Sequence, residues 1–246
     1  MAPTARYDRI GRGYISRRQP DPRIEAQIWA AIGPATSIVN IGAGAGSYER
    51  DGSHLVAVEP SAVMIGQRPD TAAPAVQAGA ERLPFSDHAF EVALALLTVH
   101  HWSDLELGLA EMRRVARRQV VMTIDPPVHD AIWLLQEYVP AIIGMSDNVP
   151  LDLVVRNLDA HTVDVIPIPV DCLDGFCMAY WNRPAEYLDP IARANTSAFA
   201  RLDEADYAPG LARLERDLAD GTWQLRHGNL LELTEYDVGL RLVVAG

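Results

Sequence analysis

The sequence predicts an α/β fold built on a parallel sheet, and three observations predict it. Short apolar runs alternate with helical stretches through the first half of the chain, a glycine-rich loop (Gly42, Gly44, Gly46) follows the first run, and an acid, Glu59, ends the second. Strands joined by helices form parallel βαβ units, and such units place their ligand site at the carboxyl ends of the strands. With 246 residues, 49% of them apolar, the chain can bury a full core as one domain with an elaboration.

The elements follow in order. "DPRIEAQIWAAIG" (21–33) reads as a helix: Asp21 can cap it, Pro22 suits its first turn, Ile24, Ile28 and Ile32 recur on one face, and Gly33 can end it. "SIVNI" (37–41), "HLVAVEP" (54–60) and "PAVQAGA" (74–80) read as three strands, and "FEVALALLTVH" (90–100), apolar on both faces, as a central one. Ser103 with Glu106 forms a capping-box pair, and Leu105, Leu109, Met112 and Val115 make the buried stripe of the helix behind it. "QVVMTID" (119–125) is a fifth strand, 129–139 looks helical, "TVDVIPIPV" (162–170) suits an edge strand, and "VGLRLVVAG" (238–246) is the last. Between those final two strands lie helical signals around 184–200 and 209–220. A connection that long is usually functional. Two readings of it stand: a cap over the site, or a helical pair that packs on the sheet.

Composition excludes several functions. A formal charge of −12 argues against a nucleic acid partner. Local arginine runs are present, in the first twenty residues and at Arg113, Arg114, Arg117 and Arg118 on one helix; a solvated face accounts for them. The chain contains no lysine, which removes Schiff-base chemistry and the P-loop lysine. Cys172 and Cys177 have no neighbouring His or Cys pair to complete a zinc site, so no metal is expected and they read as buried free thiols. Without an apolar run of membrane-spanning length or a leader pattern, the sequence reads as cytoplasmic and without a membrane partner.

The glycine loop allows three ligands: a nucleoside triphosphate, a dinucleotide, or a nucleoside without phosphate. The loop ends Gly46-Ser47-Tyr48, which lacks the Gly-Lys-Ser/Thr of a P-loop. The dinucleotide pattern G-x-G-x-x-G also fails, because its sixth position is Ser47 or Glu49 rather than glycine. A nucleoside with an amino acid tail fits, since a carboxylate at Glu59 can accept from both ribose hydroxyls.

"VNIGAGAGSYE", "VAVEPSAVMIGQRP", "AGAERLPFSDHAFEVALALLTVHHWSD" and "EMRRVARRQVVMTID" occur in one register over residues 36–125. In that order and spacing the chain resembles the class I S-adenosylmethionine-dependent methyltransferases, type 11, the small-molecule branch related to ubiquinone and menaquinone biosynthesis enzymes. The resemblance implies a Rossmann-like, seven-stranded, mostly parallel sheet with an antiparallel last strand and helices on both faces. It divides the chain into an N-terminal lid (1–20), a cofactor core (21–170), a helical cap (171–233) inserted between the last two strands, and the final strand (234–246). By the same resemblance Asn40, Gly42, Ala43, Gly44 and Gly46 line the methionine end of S-adenosylmethionine, and Glu59 binds its ribose. Pro60, Ser61 and Met64 lie under the adenine edge, Ala80 and Glu81 read the adenine, and Leu97 and Thr98 lie beneath the sulfonium. Tyr7 and Tyr14 match an aromatic segment that closes over the site in similar proteins; simple packing is the other reading.

Departures from the family are Asn40, where aspartate is usual, Gly79, where aspartate is frequent, and "RRQ" in place of a Pro-Gly-Gly turn. Asn40 keeps hydrogen-bonding capacity without the charge. For chemistry, His100 and His101 stand at the end of the fourth strand; because adjacent strand residues face opposite ways, only one is expected to point into the site. Asp125 reads either as orienting that histidine or as a helix cap. Trp133, Tyr138, Phe176, Tyr180 and Trp181 suggest an aromatic pocket for a flat or apolar small-molecule acceptor. The alternative is a protein of this fold that binds S-adenosylmethionine or S-adenosylhomocysteine without transferring methyl.

Overall fold

In the computed structural model, residues 19–50, 52–143 and 149–246 are described, so Tyr7 and Tyr14 lie outside the described residues. The first described helix, α1 (Pro22–Ile32), starts where the Asp21 side chain accepts the Arg23 N–H at 2.9 Å. Its Ile24, Ile28 and Ile32 are fully buried, and Gly33 at φ 67° ends it in a conformation that glycine adopts without steric cost.

The strands are β1 (Ile38–Ile41), β2 (Leu55–Val58), β3 (Ala75–Val76), β4 (Phe90–Leu96), β5 (Ala116–Ile124), β6 (Thr162–Val165), β7 (Ile168–Pro169), β8 (Glu235–Tyr236) and β9 (Leu240–Ala245). Seven form one sheet in the order β3-β2-β1-β4-β5-β9-β6, while β7 and β8 pair separately. The strands from β3 to β5 are parallel neighbours, and β9 runs antiparallel between β5 and β6. Order reverses at β1, whose neighbours are β2 and β4, and a parallel sheet opens a crevice at such a switch point.

Strand alternation sorts the core into two layers. Val92 and Leu94 of β4 face the side covered by α1, whereas Ala93 and Ala95 join Leu109, Met112 and Val115 of α3 (Leu105–Val115) on the other. On that second face Val154 and Leu158 of α5 (Leu151–Leu158) also pack. The short helices α2 (Ala62–Ile65) and α4 (Pro126–Asp130) precede and follow α3 along the chain.

Several expectations need correction. Asp104, not Ser103, caps α3, accepting the Leu107 N–H at 3.0 Å, and Ser103 is held instead by Glu81. Arg117 and Arg118 belong to β5, which begins at Ala116, so the arginines do not share one helix. The run 162–170 breaks after Val165, because Pro167 and Pro169 cannot donate to a continuing ladder, and its second part pairs with β8.

The 171–233 segment contains α6 (Pro190–Ala194), α7 (Glu204–Ala219), α8 (Thr222–His227) and several single turns. It docks on the turn Leu134–Tyr138 through Gly210, where an added Cβ would stand 1.6 Å from the Tyr138 carbonyl oxygen. No helix among the described residues is long and apolar enough to cross a membrane.

Asp21 ties this segment to the core. Its side chain is fully buried, and its Oδ2 accepts the Leu173 N–H at 3.1 Å and the Arg23 guanidinium at 2.8 Å. Burial by itself would raise the Asp21 pKa, but hydrogen bonds from the Arg23 guanidinium and from the N–H groups of Leu173 and Arg23 outweigh it and lower the pKa to about 2. A carboxyl whose folded pKa is depressed stabilises the fold above its unfolded pKa and loses that contribution as pH falls. Asp21→Asn should therefore cost about 2 kcal/mol near neutral pH, and its gap from wild type should narrow between about pH 4 and pH 2 in denaturant titrations. A pH-independent gap would contradict this account.

Candidate functional site

The loop after β1 turns sharply because Gly42, Gly44 and Gly46 adopt φ of 71°, 54° and 94°. Gly42 is the most constrained: a Cβ there would stand 2.0 Å from Thr98 Oγ1, so β1 and the end of β4 touch through a missing side chain. The N–H groups of Gly42 and Ala43 donate to the Val58 carbonyl at 2.8 and 3.0 Å. Glu59, just past β2, then clamps the loop: its carboxylate accepts the Gly44 N–H and the Ser61 N–H, each at 2.9 Å, and the residue is 5% exposed.

From below, a buried ion pair supports the same loop. Arg68 Nη2 lies 2.6 Å from Glu49 Oε2, and Arg68 Nη1 donates to the Gly44 carbonyl at 3.1 Å. Asn40 Nδ2 donates to Glu49 Oε1 at 3.0 Å.

These residues form one wall of a cavity of about 460 Å³. It extends past Leu97, His100 and His101 to His129, and its far wall comes from Phe176, Cys177, Met178 and Arg201 of the 171–233 segment. Apolar side chains such as Met122, Ile124, Ile142 and Leu240 fill the space between. Desolvation pushes the Cys172 and Cys177 thiols up to about 12, so neither is a thiolate at neutral pH.

The decisive observation is the match of this frame to known proteins. Residues 39–124 match the model of the family described as "Methyltransferase domain". A putative methyltransferase from an antibiotic biosynthesis pathway of Anabaena variabilis is 32% identical, covering 94% of this chain and 99% of that one, with a TM-score of 0.85. The chain belongs to the S-adenosylmethionine-dependent methyltransferases. The uncharacterized protein YafE of Escherichia coli is 38% identical to this methyltransferase over 63 residues, a match spanning 24% of this chain and 30% of YafE. The [4+2]-cyclase SpnF, 13% identical with a TM-score of 0.54 over 100% of this chain and 98% of its own, shares the fold.

The structure gathers eleven of the residues singled out from the methyltransferase sequence. Asn40, Gly42, Ala43, Gly44, Gly46, Glu59, Met64, Leu97, His100, His101 and Phe176 all line the cavity. Pro60, Ser61, Ala80, Glu81 and Thr98 do not. Ser61 is buried as the cap of α2, Thr98 packs under Gly42, and Glu81 Oε1 accepts the Ser103 N–H and hydroxyl at 2.7 and 2.8 Å. Gly79 leaves room for this arrangement, since a Cβ there would stand 2.8 Å from Glu81 Oε2.

Three expectations are corrected. Both histidines reach the cavity, because β4 ends at Leu96 and Val99–His101 is a 3-10 turn in which strand alternation no longer applies; their ring centroids are 3.9 Å apart. Asp125 neither caps α4 with its side chain nor lines the cavity; its Oδ2 lies 3.1 Å from Arg241 Nη2. Trp133, Tyr138, Tyr180 and Trp181 are core residues rather than pocket walls. Their polar ends are spent internally: Trp133 Nε1 donates to the Trp181 carbonyl, Trp181 Nε1 to that of Ile168, and Tyr138 Oη to Asp217.

One histidine of the cavity went unnoticed in the sequence. His129 on α4 is 7% exposed, and its Nδ1 lies 2.9 Å from Asp130 Oδ1. A carboxylate can only accept, so Nδ1 carries the hydrogen and Nε2 is the basic nitrogen. The available signal was position: "PPVHD" follows the carboxyl end of the fifth strand, on the edge where the other site residues gather.

Gly42→Ala should lower the thermal midpoint of this methyltransferase, since the added Cβ meets Thr98 and the left-handed backbone adds about 1–2 kcal/mol of its own. An unchanged midpoint would show that the loop relaxes freely.

Proposed function

We propose that this methyltransferase transfers a methyl group to oxygen, nitrogen or carbon of a small, largely apolar acceptor, with a histidine taking up the acceptor's proton where there is one to lose. The observation that carries this reading is a single cavity that begins at the glycine loop and Glu59 and ends among His100, His101, His129 and the cap.

The residues present fit the cofactor. Gly42, Ala43, Gly44 and Gly46 present bare backbone, Glu59 offers a buried carboxylate for the ribose hydroxyls, and Met64 and Leu97 supply apolar contact. Pro60, Ser61, Ala80 and Glu81 act behind the wall, supporting Glu59 and the adenine edge through α2 and the Ser103 turn. S-adenosylmethionine, when bound, supplies an activated methyl on a sulfonium. The protein's part is alignment, which is worth up to about 7–11 kcal/mol in well-oriented systems. His129, held by Asp130, stands with His100 and His101 at that end of the cavity. Residues 171–233 serve as the acceptor cap.

The neutral Asn40 favours a second reading, in which the cofactor is held without methyl transfer. Formation of S-adenosylhomocysteine with a panel of phenols, N-heterocycles and enolisable carbonyl compounds separates the two, and silence across the panel supports the second.

Calorimetry with S-adenosylhomocysteine should show affinity falling about tenfold or more in Glu59→Ala; unchanged affinity would remove the cofactor assignment. His129→Asn should lower turnover of an O–H or N–H acceptor by about 10² to 10⁴ while cofactor affinity survives. Full turnover in that variant would take His129 out of the mechanism.

A further inference from the structure

Asn40 is 2% exposed and lines the cavity, yet only one branch of its amide is engaged. Nδ2 donates to Glu49 Oε1 at 3.0 Å, whereas Oδ1 is buried without a hydrogen-bond partner among the described residues. A buried acceptor left unpaired is costly, and where it persists on a cavity wall it calls for a partner from within the cavity.

Glu49 decides which way the amide faces. Being an acceptor only, its carboxylate can face the NH2 branch of Asn40 and not the carbonyl branch. Glu49 is itself immobilised: its Oε2 accepts from Arg68 Nη2 at 2.6 Å and from the Ala73 N–H at 3.2 Å, and the Glu49 and Arg68 side chains are 4% and 5% exposed. Gly46 leaves room for the pair, since a Cβ there would stand 3.3 Å from both Glu49 Oε2 and Arg68 Nη1.

We propose that Glu49 is a positioning residue that locks the Asn40 amide with Oδ1 toward the cavity, where it accepts a hydrogen bond from the ammonium of the cofactor's amino acid tail. The inference rests on the reading that this cavity holds S-adenosylmethionine. It also accounts for the asparagine. An aspartate at position 40 would place a second carboxylate at hydrogen-bond distance from Glu49, and like charges at that range oppose each other. The negative charge therefore sits one residue further back, paired with Arg68, and reaches the ammonium through an oriented dipole.

The arrangement predicts what exchanges will do. In Glu49→Gln the single carbonyl oxygen must serve Arg68 and the Ala73 N–H, so the new NH2 faces Asn40. Asn40 then turns its oxygen to that NH2 and its own NH2 to the cavity, where a donor meets the ammonium. In the double variant Asn40→Asp with Glu49→Gln, the NH2 introduced at position 49 donates to the carboxylate introduced at position 40, and that carboxylate faces the ammonium.

The test is calorimetry with two probes, S-adenosylhomocysteine and 5′-methylthioadenosine, the second lacking the amino acid tail. Glu49→Gln should lose about tenfold or more in affinity for S-adenosylhomocysteine and little for methylthioadenosine. The double variant should recover at least wild-type affinity, whereas Asn40→Asp alone should be less stable than wild type in thermal melts. Equal losses for both probes in Glu49→Gln would mean that Glu49 only supports the loop, and unchanged affinity for both would overturn the proposal outright. Should Glu49→Gln fail to fold, the double variant decides alone: affinity for S-adenosylhomocysteine below wild type overturns the proposal. Failure of wild type to bind S-adenosylhomocysteine would remove the cofactor reading itself, an outcome distinct from all of these.

Discussion

The structure depends on how one glycine is gripped. Gly44 has its N–H taken by Glu59 and its carbonyl taken by Arg68, so a loop with almost no side chains is held by charge-assisted hydrogen bonds at both ends. Glycine makes the loop thin enough for a ligand to lie against backbone, but glycine also leaves it with no packing of its own. Buried carboxylates and a guanidinium supply the rigidity that side-chain contacts would otherwise give. The order reversal at β1 is what places Glu59 and the end of β4 on either side of this glycine.

The division of labour at position 40 follows from the same grip. An ion pair strong enough to anchor the loop has to be buried, and a buried pair is stable only when its remaining acceptors and donors are used. Glu49 meets that requirement with the Ala73 N–H and the Asn40 amide, and Arg68 uses both of its Nη groups on Glu49 and the carbonyls of Gly44 and Ala73, leaving only Nε without a hydrogen-bond partner among the described residues. The residue facing the cavity can then be neutral.

Local patterns made much of this legible in the sequence. The caps and stripe of α1, the glycine spacing and the acid after β2 are each local patterns, read from neighbouring residues alone. Partnerships over distance were not: nothing near Asn40 announces Glu49 as its partner, and Arg68 lies 24 residues from the Gly44 carbonyl that it holds. The aromatic residues misled for a related reason. Trp133 and Trp181 suit a core as well as a pocket, and only the internal hydrogen bonds of their ring nitrogens decide between the two. The turn at Val99–His101 escaped because its apolar run continues the strand pattern without a breaking residue.

Tyr48, the residue that closes the glycine loop, adopts a left-handed φ of 66° and donates its hydroxyl to the buried Asp174 of the cap at 2.9 Å. Its carbonyl in turn accepts from Trp29 Nε1 on α1 at 3.1 Å. The 171–233 segment is thus fastened to the glycine loop at one edge of the cavity. Lifting it along that edge would break a buried hydrogen bond and release the loop at the same moment, so the segment and the loop are geared together through one tyrosine.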